Sequence, residues 1–158
     1  MGVWIVSFTL ILAWALAILG ISAPGQSGSS VFAVSALHWM FYLPAGWMFL
    51  ASGVMHTFFA KSTAKNIGWK TNGFQYELGF VSFGLGLAGI VAAYKGEATW
   101  LVLAIVISFF LILAGINHVV EIIKTKNYSP GNTIILIYDF GLPISLWALL
   151  YSAQLIKF

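Results

Sequence analysis

The sequence predicts an all-α protein, an integral membrane helical bundle of five transmembrane helices. Three observations lead there. Only 7% of its 158 residues are charged, against roughly 25% in a soluble domain. Hydrophobic residues make up 61%, and mean hydropathy is +0.97. The apolar residues gather into five runs, each long enough to cross roughly 30 Å of hydrocarbon at about 20 residues per span. The length allows one bundle over residues 1–158 and no separate soluble domain.

The runs are expected at about residues 3–23, 31–60, 74–94, 98–123 and 133–156. The first lacks a basic leading segment, so it reads as a retained helix and not as a signal peptide. "APGQSGSS" connects it to the second, which is long and carries Pro44. "KSTAKNIGWKTNG" follows as a loop, with Trp69 suited to a membrane interface. The third run has two specialised faces. Gly79, Ser82, Gly86 and Gly89 form one stripe, where small residues let a neighbouring backbone approach. Glu77 and Gly84 lie nearly opposite, so this helix is expected to be central, with Glu77 aimed at another neighbour. The tight turn "KGEA" leads into the fourth run. Its end, "GINHVVEI", puts His118 and Glu121 three apart and therefore on one helix face. Gly115 leaves room one turn away. The fifth run follows the Pro130-Gly131 breaker pair. Pro143 lies four residues after Asp139 and cannot donate to its carbonyl, which frees that oxygen.

Lysine placement sets an orientation. Lys61, Lys65, Lys70, Lys124 and Lys126 fall in the second and fourth connections, while Lys95 and Lys157 fall on the other side. Five against two puts the first group in the cytoplasm, with the N-terminus inside and the C-terminus outside. The Asn127-Tyr128-Ser129 sequon then faces the cytoplasm and stays unmodified. The expected location is the cytoplasmic membrane of a prokaryote, with the lipid bilayer as first partner.

Several classes are excluded. There is no cysteine, hence no disulfide, thiolate metal site or cysteine nucleophile. All basic residues are lysine, and a net charge of +3 is too diffuse for nucleic acid. There is no phosphate loop, no Gly-x-Ser-x-Gly and no His-Glu-x-x-His. "GLGLAG" lies inside a membrane run, where helix packing explains it.

Of the four acidic residues, Glu97 lies in a loop, and Glu77, Glu121 and Asp139 fall within spans. So do His38, His56 and His118. Counted from flanking lysines and turns, His56, Glu77, His118, Glu121 and Asp139 sit roughly 5–12 Å from the cytoplasmic helix ends, at 1.5 Å per residue. A charged group near mid-membrane costs about 2.5–3.5 kcal/mol, so such groups are expected to face inward and pair, bind metal or hold water. Two imidazoles and up to three carboxylates suit iron, manganese or zinc. A di-iron bundle typically uses four carboxylates and two histidines, so one metal or an incomplete pair fits better here. His56, Glu77, His118, Glu121 and Asp139 are the expected metal ligands, with Asp139 and Glu77 as catalytic acid–base candidates. Tyr76, Tyr138 and Asn117 are polar neighbours that could orient them.

Plainer readings exist for each member. Glu121 can reach Lys124 or Lys126, and Glu77 can reach Lys70, by snorkelling. His56 alone reads as a hydrogen-bonded structural histidine. His38, beside Trp39 and Tyr42, reads as part of an interfacial aromatic belt.

Two longer stretches carry a resemblance. "MHTFFAKSTAKNIGWKTNGFQYELGF" continuing to "GLGLAGI", then "AGINHVVE" and "NYSPGN", resemble a family of small prokaryotic membrane proteins of unknown function. The likeness spans about residues 53–145 and omits the first helix. It implies that His56, Gln75, Glu77, His118, Glu121 and Asn132 are recurring polar positions, with Asp139 a further one.

Three functions compete. The first is a metal-dependent membrane enzyme, redox in character, acting on an apolar substrate. The second is a proton or small-solute transporter with the carboxylates as a relay. The third is an accessory or scaffold subunit, in a homo-oligomer or a larger membrane complex. For the second, polar steps toward the far side are few: Ser82, Ser108, Ser145 and His38.

Overall fold

The computed structural model of the chain describes residues 2–28 and 31–157, and these are helical with no strands. The expected all-α class holds. Three helices are long and apolar enough to cross a membrane: Gly73–Lys95, Glu97–Thr125 and Pro130–Ser152.

Helix α1 (Gly2–Ile18) is shorter than the first expected span. It stops because Gly20 turns left-handed, at φ +68°, and closes the end. The Ile21 N–H bonds the Leu16 carbonyl at 3.0 Å and the Gly20 N–H bonds that of Ala17 at 3.0 Å, a Schellman motif. Residues 21–23 therefore run as a connection. Gln26 holds it, its side-chain oxygen accepting from the Ala23 N–H at 3.1 Å and the Ser35 hydroxyl at 3.0 Å. The last two residues of "APGQSGSS" lie outside the described residues.

The second expected span is a helix in three parts. Helix α2 (Phe32–Tyr42) passes into a π-helical turn at Leu43–Met48 and then α3 (Phe49–Thr57). Pro44 explains the wider turn, because it has no N–H to give to the preceding turn. The Tyr138 hydroxyl donates to the Pro44 carbonyl at 2.6 Å, so the irregular backbone is pinned to the last helix. The helix ends at Thr57, not at residue 60. What reads in sequence as a loop then contains α4 (Ala60–Ile67), an amphipathic helix that buries Ala60, Thr63 and Ala64.

Helices α5 (Gly73–Lys95) and α6 (Glu97–Thr125) slightly exceed their expected spans. A short helix α7 (Pro130–Thr133) leads directly into α8 (Ile135–Ser152). The last expected span ends at Ser152, where Gln154 at φ +60° closes another Schellman turn.

The small-residue stripe of α5 is its interface with the π turn and α3. A Cβ on Gly86 would lie 2.6 Å from the Leu50 nitrogen, and one on Gly89 would meet the Ala45 carbonyl. Backbones approach here at distances only glycine permits. The core is closed by fully buried Leu37, Met40, Phe41, Trp100, Ile107 and Leu142. Indole N–H groups staple helices together: Trp14 donates to Ser145 and Trp147 to Ser108, both at 3.0 Å. His38, expected in an interfacial aromatic belt, packs between helices. It is buried, its Nδ1 donates to the Ala93 carbonyl at 2.6 Å, and Trp100 meets its ring edge-on.

Candidate functional site

Both lysine-bearing connections meet at one end of the bundle. Asn127 donates from Nδ2 to the Ile67 carbonyl at 2.8 Å, tying the α6–α7 connection to the end of α4. Helix α4 is further held by Thr63, which donates to the Met55 carbonyl at 2.8 Å, and by Gln75 on α5, which donates to the Ala60 carbonyl at 2.8 Å. So this surface helix is anchored across the end of α3, α5 and α7.

Gly68 sets what comes next. At φ +83° it takes the left-handed conformation that ends α4. The Trp69 N–H then bonds the Ala64 carbonyl at 2.9 Å, which folds the chain back. That fold lays the Trp69 indole flat on His118, with centroids 5.3 Å apart and planes 11° apart. Trp69 is 36% exposed, so it covers the imidazole from the outside.

His118 is fixed on its other side by Asn132. The Asn132 amide nitrogen donates to the Asn127 carbonyl at 2.8 Å and lies 3.4 Å from the His118 carbonyl. Its oxygen therefore faces the imidazole and accepts from His118 Nδ1–H at 2.6 Å. A neutral His118 then carries its lone pair on Nε2. That atom is 4.0 Å from Oδ2 of Asp139, beyond hydrogen-bond distance. Asp139 is buried and its Oδ2 has no hydrogen-bond partner among the described residues; neither has the buried Nδ1 of His56 on α3.

His56, His118 and Asp139 all line one cavity of about 280 Å³. Its remaining wall is mostly apolar and includes Val6, Met48, Phe49, Phe110 and Leu111. Thr63, Asn66 and Trp69 stand at the α4 end. The volume is near the lower limit of about 300–1,000 Å³ for small-molecule sites.

Three of the five expected site residues are thus brought together, and two are not. Glu77 is exposed on α5 and does not line the cavity, because the glycine stripe takes the inner face and turns the opposite face outward. Glu121 is half-buried, and its carboxylate accepts from the Thr125 hydroxyl one turn on, at 3.2 Å. Tyr76 and Asn117 are exposed, while Tyr138 lines the cavity. Among the described residues, no three His, Asp or Glu side chains stand close enough to hold a metal ion. Trp69 as a cover and Asn66 as a wall are roles that the sequence reading missed. The signal for both was present in "AKNIGW", a short amphipathic segment ended by glycine.

A model described as Family of unknown function (DUF6790) matches residues 3–156, so the likeness includes the first helix that the sequence reading left out. No curated protein and no solved structure matches the chain.

Proposed function

We propose a role for this chain, which belongs to the DUF6790 family of unknown function, from its site alone. It is an integral membrane protein of five crossings whose lysine-bearing end faces the cytoplasm. There it binds a small, largely apolar molecule whose polar end meets His118, Asp139 and His56. One observation carries this reading: two buried polar atoms, Asp139 Oδ2 and His56 Nδ1, lack hydrogen-bond partners among the described residues, and both residues border the same apolar cavity. Native proteins pair nearly all such atoms, and leaving one unpaired costs about 1–3 kcal/mol. A ligand hydroxyl between His118 Nε2 and Asp139 Oδ2 could donate to either, and the two groups could pass a proton to it or take one from it.

The transport alternative finds less support. Ser82 bonds the Leu78 carbonyl, Ser108 accepts from Trp147, Ser145 bonds Gly141, and His38 bonds Ala93. Each polar step toward the far side already serves packing.

A second reading, a divalent transition metal such as iron, manganese or zinc, has one observation in its favour. Asn132 takes the Nδ1–H of His118 and leaves Nε2 for the cavity, which is how ligating histidines are oriented. Two imidazoles and one carboxylate suit such ions. Binding would require the three groups to close on the ion. Metal analysis of the purified protein separates the readings: stoichiometric metal, lost in His56→Ala and His118→Ala, supports the ion.

The main reading is tested in nanodiscs of zwitterionic lipid with decanol as the probe. Thermal unfolding should shift upward for the wild type and not for His118→Ala or Asp139→Leu. Equal shifts for all three would overturn it.

A further inference from the structure

A second cavity adjoins the first. Its volume is about 290 Å³, and Val3, Asn66 and Gly131 belong to the walls of both. Its character differs. Lys65 and Ser129 line it, with Trp4 and Pro130, and no acidic residue does. Lys65 is exposed, and no ion pair holds its ammonium among the described residues. The two cavities thus differ in polarity on either side of the residues they share. The outer one carries the Lys65 ammonium, while the first sets His56, His118 and Asp139 beside apolar Met48, Phe49, Phe110 and Leu111.

We infer that the ligand of this site is an anionic amphiphile, its charged head at Lys65 and Ser129 and its apolar chain in the inner cavity. This rests on the binding role proposed above and names the chemical class bound. The chemistry is complementary at each level. A phosphate or carboxylate head takes charge-assisted hydrogen bonds from the ammonium and the hydroxyl. The tail fills a wall of apolar side chains. The middle of the molecule passes the His118–Asp139 pair, where an ester or hydroxyl would sit. The outer cavity lies beside α4, the surface helix whose Lys61 and Lys65 are exposed. That is where a headgroup would enter from an anionic leaflet.

The test uses the full chain in zwitterionic nanodiscs with three probes: decanol, decyl phosphate and inorganic phosphate. Decyl phosphate is expected to bind at least tenfold tighter than decanol to the wild type, by native mass spectrometry. Lys65→Ala should remove that preference while leaving decanol binding intact, and Lys61→Ala should preserve it. Inorganic phosphate alone should not compete at equal concentration. A preference that survives Lys65→Ala, or full competition by inorganic phosphate, overturns the inference. If decanol itself fails to bind the wild type, the underlying binding role fails instead, so the two failures are distinguishable.

Discussion

Asp139 is a buried carboxyl with an oxygen that no group among the described residues satisfies. An arrangement that served only stability would not keep it, because replacing a buried ionisable group by an apolar one of similar size is often neutral or stabilising. Asp139→Leu is therefore expected to leave the unfolding temperature unchanged or raised while decanol binding is lost. A large fall in stability would show a structural role instead. Asn132 is the opposite case. It is fully buried and meets His118 Nδ1, the Asn127 carbonyl and the His118 carbonyl at once. Asn132→Ala strands the imidazole N–H and should cost about 1–3 kcal/mol in thermal unfolding. The two variants separate a group kept for binding from one kept for position. The roles of the histidines were only half legible in the chain. His118 was readable as one of a layer of titratable groups, but its tautomer depends on an asparagine 14 residues away. His38 was readable as one member of an aromatic belt, but the acceptor that fixes its ring, the Ala93 carbonyl, is 55 residues away on another helix.

At the level of the element, α5 shows how far a pattern reaches. Its glycine stripe announced a close helix contact, and the contact is there, against the π turn and α3. Gly86→Leu forces side-chain carbon into the Leu50 backbone and should destabilise by at least about 1–3 kcal/mol. Gly84, on the outer face, has nothing within 4 Å of its missing Cβ. Gly84→Ala should be neutral or stabilising by up to about 1 kcal/mol, since alanine loses less backbone freedom in a helix. Equal effects at both positions, measured by unfolding in the same nanodiscs, would contradict the packing described. The same pattern led to the expectation that Glu77 points at another neighbour, and that expectation fails, because Glu77 is exposed. A helix central to the bundle needs two covered faces, and α5 has one, so Glu77 lies outside the site. Helix α4 was missed for a different reason. Eight residues with two lysines are amphipathic but too short to stand out beside runs of about 20 residues, and α4 is held by three hydrogen bonds with residues outside it.

For the whole molecule, the joint placement of the lysine-bearing connections makes the topology testable. The chain has no cysteine, so single cysteines can be introduced without a background. Lys65→Cys and Lys126→Cys should label from one side of the membrane and Lys95→Cys from the other. Labelling of Lys65→Cys and Lys95→Cys from the same side would break the proposed five-crossing arrangement. Composition and run length determined by themselves that the protein is helical and that long apolar helices dominate it, because burying backbone in hydrocarbon leaves few other choices. The Pro130-Gly131 pair marked the start of the last span, whereas the left-handed turns at Gly20 and Gly68 were seen only in the structure. The site was another matter. A run of sequence states how deep a side chain lies along its helix but not the angle at which neighbours meet it. Helix rotation is decided by the close fit of α5 on α3 and by hydrogen bonds that tie α4 to the α6–α7 connection and α8 to α1, α6 and the π turn. That fit turned His56, His118 and Asp139 into one cavity and turned Glu77 and Glu121 away from it.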